Sequence, residues 1–162
     1  MERGLSVVRV LILAVALAAL PVAAFAADVG SLTVKVENVS PRGGLVSLGL
    51  FMEANYSDDD HPTQSHDVEA VSPETVVKIS GLKPGLYAIK MMQDINRNGK
   101  MDMSWIGLPQ EPYGFSNDAS VGLSEPSFAR THFRVAAGDN TITIHLTNSD
   151  AKTDQSARDP AH

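Results

Sequence analysis

Nine residues near the middle of the chain carry its clearest chemistry: Asp94-Ile95-Asn96-Arg97-Asn98-Gly99-Lys100-Met101-Asp102. They read D-x-N-x-N-G-x-x-D. Oxygen-bearing side chains stand at the first, third, fifth and ninth places, with glycine at the sixth. A calcium ion takes roughly six to eight oxygen ligands, and the EF-hand loop supplies them at this spacing. The candidate ligands are Asp94, Asn96, Asn98 and Asp102 through their side chains and Lys100 through its carbonyl, and calcium is the cofactor they imply. At the twelfth place, where an EF-hand carries a bidentate Glu, stands Trp105, so a further carboxylate has to come from elsewhere. Glu111 and Asp118 are the nearest. Arg97 and Lys100 reduce the local negative charge, which points to weak affinity. A second reading stays open. Asn98-Gly99 is also the favoured type I′ hairpin turn, and Asp94 and Asn96 can close Asx-turns on their own backbone.

Other constellations are weaker. Asp58-Asp59-Asp60-His61 and His66-Asp67 combine carboxylate with imidazole, but the spacing matches no named site, and acidic runs are usually solvated. Ser116 follows Gly114-Phe115, yet Asp118 stands where a nucleophile elbow needs its second glycine. There is no H-E-x-x-H, Walker loop or G-x-G-x-x-G. A non-enzymatic binding or structural module is therefore expected. One alternative is an extracellular hydrolase using Asp94, Asp102 and Glu111 as acid/base groups, marked by a carboxylate pair at glycosidase separation. The other is a metal-free protein-interaction module with an exposed aromatic patch.

The 162 residues include no cysteine, which excludes disulfides, thiolate metal sites and a lipid-anchoring cysteine. Thirteen basic against nineteen acidic residues give a net charge of −6, without the electrostatic footprint of a nucleic-acid partner. Arg3 and Arg9 precede an uncharged apolar run from Val10 to Ala27 that ends in Ala24-Phe25-Ala26. That is the order of a secretory signal peptide over residues 1–26. A retained transmembrane anchor is the alternative, but Pro21 interrupts the run. Cleavage leaves a periplasmic or secreted domain over 27–148, with no stable membrane anchor.

The elements that must position these residues alternate with a period of two. Leu32, Val34 and Val36 share one face, as do Val46, Leu48 and Leu50. Val77 with Ile79, then Tyr87, Ile89 and Met91, then Phe133 with Val135, and finally Ile142, Ile144 and Leu146 repeat the pattern. Each reads as a half-buried strand, and turn residues separate them. Without crossover helices a parallel sheet is not expected. Six or seven antiparallel strands give an all-β two-sheet sandwich, with a small barrel as alternative. Two connections are long: Glu53 to Pro73, and Asp94 to Phe128. The second carries Trp105, Tyr113, Phe115 and Phe128, four of nine aromatics. Aromatics need burial or a partner, so this loop is expected to be ordered, with its aromatics packed on the sandwich. Residues 149–162 carry no large apolar side chain and are expected to form a disordered tail.

The runs Gly81-Leu82-Lys83-Pro84-Gly85-Leu86-Tyr87-Ala88-Ile89, Asp94 to Asp102, Gly107-Leu108-Pro109-Gln110-Glu111-Pro112-Tyr113-Gly114-Phe115-Ser116-Asn117 and Pro126-Ser127-Phe128 carry a resemblance. The chain resembles the domain-of-unknown-function family numbered 2141, a group of exported bacterial proteins. The resemblance covers about Leu32 to Thr147. It implies an exported β-sandwich similar in shape to transthyretin-like and carboxypeptidase-regulatory modules, and an immunoglobulin-like arrangement is the other form open to it. It implies no activity or ligand. Gln93 departs from the pattern, in which a histidine often precedes the Asp.

Overall fold

The computed structural model describes residues 29–122 and 124–147. Residues 1–26, expected to form a signal peptide ending in Ala24-Phe25-Ala26, and residues 149–162, expected to form a tail, lie outside them. Eight strands form: β1 (Gly30–Glu37), β2 (Leu45–Phe51), β3 (Gln64–Glu69), β4 (Glu74–Leu82), β5 (Gly85–Asp94), β6 (Tyr113–Phe115), β7 (Phe133–Val135) and β8 (Gly138–His145). One four-residue helix, α1 (Phe128–Thr131), and two short 3₁₀ turns complete the described elements.

The strands make two sheets, β4-β1-β8 and β3-β2-β5-β6, with β7 beside β6 on the same edge of β5. The six strands expected from alternation are all present. Their apolar positions form one core in which Leu32, Val34 and Val36 of β1 face Leu48, Leu50, Ile89 and Met91 across the sheets. Burying such side chains is worth about 1.5–3 kcal/mol each, so this layer is the principal driving force of the fold.

Three expectations are corrected. The sandwich is not antiparallel throughout: β1 and β8 pair in parallel over their whole length, from Gly30 opposite Gly138 to Glu37 opposite His145. Parallel neighbours need a long crossover, and here the crossover is the whole intervening domain rather than a helix. The stretch Glu53 to Pro73 contains β3, whose Gln-Ser-His-Asp-Val-Glu sequence carries a single large apolar residue because it is an edge strand with one face half-buried and the other exposed. Strand β6, inside the expected 35-residue loop, is only three residues long, too short for a periodicity to register.

The second sheet is covered on both faces over part of its length. Phe51 and Ala88 point away from the main core and join Tyr56 and Phe128 in a satellite cluster. At the opposite end, Gln93 is fully buried and ties β5 to the turn after β1. Its Oε1 accepts from Ser40 N at 2.8 Å, and its Nε2 donates to the carbonyls of Ser40 at 2.9 Å and Gly43 at 2.7 Å. Gly44 lets that turn pass. Its φ is +89°, and a Cβ there would lie 2.2 Å from the Asp94 carbonyl oxygen.

Ile89→Ala should lower stability by about 2–5 kcal/mol, the range for emptying a well-packed aliphatic site. Trp105→Ala should change it by less than about 0.5 kcal/mol, because that side chain is 95% exposed. Urea denaturation of the two variants beside wild type checks both, and an equal loss in both would contradict this core.

Candidate functional site

Strand β5 delivers Asp94 at its C-terminal end, and the oxygen-rich loop begins there. The Asp94 side chain is 1% exposed. Its two oxygens accept from Asn98 N at 3.1 Å and Gly99 N at 2.7 Å. Asn96 Oδ1 accepts from Asn98 N at 3.1 Å, and Asn98 Oδ1 from Lys100 N at 2.8 Å, both Asx-turn contacts. The amide nitrogens of Asn96 and Asn98 donate to the two oxygens of Asp102, at 2.6 and 2.9 Å. Four of the five expected ligand residues are thus joined through their side chains in one network. Lys100 takes part through its N–H and is otherwise exposed.

The simple two-residue hairpin is not what forms. A type I′ turn at Asn98-Gly99 needs positive φ at both residues. Here the left-handed residues are Arg97 (φ 62°) and Gly99 (φ 73°), on either side of Asn98. Arg97 does not sit among the loop oxygens. Its guanidinium forks onto Glu69 of β3 at 2.9 and 2.7 Å.

Of the two outside carboxylates, Glu111 joins the loop and Asp118 does not. Glu111 is 4% exposed. Its Oε1 accepts from Ile95 N at 2.7 Å and its Oε2 from Asp102 N at 3.2 Å, so it spans the loop base. Among the described residues no three His, Cys, Asp or Glu side chains are grouped to hold a metal ion. The oxygens that gather here belong to a mixed set of carboxylates, side-chain amides and backbone.

Beyond Asp102 the chain forms a narrow hairpin. Met103 bridges Pro109, Ser104 N donates to the Leu108 carbonyl at 2.7 Å, and Gly107 N donates to the Ser104 carbonyl at 2.8 Å. Trp105 stands at its tip. The expectation that Trp105 packs on the sandwich is therefore wrong: the hairpin closes on its own backbone and carries the ring outward. Tyr113 and Phe115 are half-buried and meet edge-to-face at 6.2 Å, and Phe128 packs on the satellite cluster.

The loop forms one wall of a groove of about 700 Å³ on the outer face of the second sheet. Its floor is Gly49, Lys90 and Met92, with Met101, Tyr113 and Phe115 along the loop side. Lys90 Nζ donates to the Tyr56 carbonyl at 2.7 Å and pairs with Asp59 at 2.6 Å and with Glu125. It also lies over the rings of Phe51 and Tyr56, at 4.9 and 4.2 Å. Burial opposes its charge, but the two carboxylates outweigh burial and raise its pKa. Sequence reasoning passed over Lys90. The available signal was that Ala88 and Met92, its neighbours on the outward face of β5, are apolar, so that face too had to be covered.

The remaining candidates are placed apart. Asp58 pairs with His61 on the surface at 2.9 Å, while His66 and Asp67 lie on β3. Ser116 is fully buried. Its Oγ accepts from Ile89 N at 2.9 Å and donates to the Thr131 carbonyl, so the hydroxyl is spent on structure. His145 sits between two carboxylates, with Nδ1 2.8 Å from Asp118 and Nε2 3.1 Å from Glu37. Asp118 also accepts from His145 N at 2.8 Å, from a left-handed backbone (φ 48°).

These features define an all-β sandwich module with a stapled, oxygen-rich loop walling a groove on one sheet. The chain belongs to the bacterial family described as "Uncharacterized protein conserved in bacteria (DUF2141)", whose model matches residues 34–143, from β1 into β8. No curated protein and no solved structure matches the chain.

The Asp118 hydrogen bond, aided by Asp118 and Glu37 charge, raises the His145 pKa above its ordinary 6.5. A raised folded-state pKa adds stability below the unfolded pKa, and that gain disappears as pH rises through the folded one. The stability difference between wild type and His145→Gln should be largest below about pH 6 and shrink through the neutral range. Denaturation midpoints of both proteins across pH 5–9 check the sign, and a gap that widens with pH contradicts it.

Proposed function

We propose that this chain is an exported, non-enzymatic binding module. Its ligand seat is the groove on the second sheet, and its loop from Asp94 to Asp102 is ordered by calcium. The observation that carries the reading is the charge around that loop. Asp94 and Glu111 are almost wholly buried, their partners among the described residues are backbone N–H groups, and Asp102 joins them through the amides of Asn96 and Asn98. Buried carboxylates are costly unless compensated, and the loop's own guanidinium is engaged by Glu69. A hard cation that takes carboxylate, amide and carbonyl oxygens suits this set. Calcium would require the amides of Asn96 and Asn98 to turn their oxygens inward, and the same side chains carry both kinds of atom.

The non-enzymatic part is supported by Ser116, whose buried hydroxyl accepts from Ile89 N and donates to the Thr131 carbonyl and so is not available as a nucleophile. Export rests on the charged start, the apolar run and Ala24-Phe25-Ala26.

Calcium should raise the melting temperature of the purified protein, with an affinity on the order of 10⁻⁴–10⁻³ M. At ten times the dissociation constant it should add about 1.4 kcal/mol by mass action. Asp94→Ala and the more exposed Asn98→Ala should both remove the calcium response, whereas Arg134→Ala on β7 should keep it. A wild-type melting temperature indifferent to millimolar calcium overturns the calcium reading and leaves the groove to be tested alone.

A further inference from the structure

Four large apolar side chains stand exposed within six residues: Met103 at 52%, Trp105 at 95%, Ile106 at 57% and Leu108 at 57%. Concentrated exposure of this kind marks an interaction site rather than ordinary surface. All four sit on the hairpin beyond Asp102. The stretch from Met103 to Gln110 contains no charged residue.

We propose that this hairpin is a wedge that inserts reversibly into the interface of a lipid bilayer, with Trp105 at the headgroup level and Ile106 and Leu108 against the acyl boundary. Tryptophan favours that depth because its ring is apolar and its N–H stays wet. The hairpin's polar groups favour lipid over a protein partner. The Ser104 hydroxyl accepts from Leu108 N at 3.0 Å, the Ser104 carbonyl accepts from Gly107 N, and the Asp102 carbonyl accepts from Gln110 N. With those groups satisfied internally, the tip offers a protein little of the directional polar rim that protein interfaces use. Lipid needs no such rim, and at headgroup depth the backbone N–H groups of the tip stay in contact with water. The net charge of −6 sets the lipid preference: anionic headgroups should not strengthen binding, unlike the case of a basic membrane helix. Such a wedge is a reversible contact, not an anchor.

Trp105 is the only tryptophan in the chain, so its fluorescence reports on the tip alone. The test titrates the mature chain, from Ala27 onward, with phosphatidylcholine vesicles in chelator, which separates it from the calcium reading. Blue-shifted emission and quenching by lipid brominated near the headgroup are expected. Adding phosphatidylglycerol should not increase the partitioning. The double variant Ile106→Asp, Leu108→Asp retains Trp105 and should partition at least about tenfold more weakly, since burial of both aliphatic side chains is lost. Circular dichroism of that variant should match wild type, because both side chains are exposed. Emission unchanged by vesicles overturns the proposal, including where the chain sediments with them through another segment. A blue shift that appears without lipid and grows with protein concentration also overturns it, by assigning the tip to a second copy of this chain.

Discussion

Glu111 holds together two points that lie sixteen and nine residues before it in the chain: its carboxylate takes the N–H of Ile95 where β5 ends and the N–H of Asp102 where the hairpin begins. The group is nearly buried, so each of these bonds is charge-assisted and poorly replaced by water. Because both ends of the oxygen loop are fixed to one side chain, its base is held in place and the loop can wall the groove. The hairpin takes its direction from the same point. Pro112, the next residue, accepts from Gln93 N at 2.7 Å, and so leads directly into β6.

Strand β5 carries the other half of this dependence. Its inward residues, Tyr87, Ile89, Met91 and Gln93, close the core, while its outward ones, Ala88, Lys90 and Met92, make the satellite cluster and the groove floor. A strand buried on one face only could leave Lys90 to solvent. Here the segments around Tyr56 and Glu125 fold over it, and the ammonium is retained by carboxylates and ring faces instead of water. The cation therefore acts as a tie between two loops distant in sequence, and the covering of the outer face depends on it.

The main core was legible because it obeys one rule. Leu32, Val34 and Val36, or Val46, Leu48 and Leu50, alternate with polar neighbours, and the sandwich buries the apolar set. What escaped obeys no local rule. Strand β3 is defined by pairing with β2, from Leu45 opposite Glu69 to Leu50 opposite Gln64, and not by its own side chains. The parallel pairing of β1 with β8 is a property of chain ends separated by a hundred residues, which no window of sequence contains. At the site, Asp94, Asn96, Asn98 and Asp102 of the D-x-N-x-N-G-x-x-D run share one hydrogen-bond network, since a short loop of such residues closes on itself. Glu111 could be named as a nearby carboxylate but not chosen over Asp118, because the choice was made by strand ends: β8 brings His145 to Asp118, and β6 draws Glu111 under the loop.

The failure with Trp105 has a different cause. Expecting an aromatic side chain to seek burial is sound thermodynamics, and an apolar surface lined by Met92, Met101, Tyr113 and Phe115 lies on the same face. Covering the ring there would be worth on the order of 1.5–3 kcal/mol. Against that stands the geometry of the hairpin. The hairpin's own bonds join Ser104 to Leu108 and Gly107, and Asp102 to Glu111, and a rearrangement that left any of these groups buried and unpaired would cost roughly 1–3 kcal/mol for each. The two terms are of the same size, so the local bonds can prevail over the apolar contact, and the groove keeps its mouth free. A domain that spends its polar groups on stapling a loop thereby separates two apolar surfaces, one concave and one convex, that would otherwise cover each other.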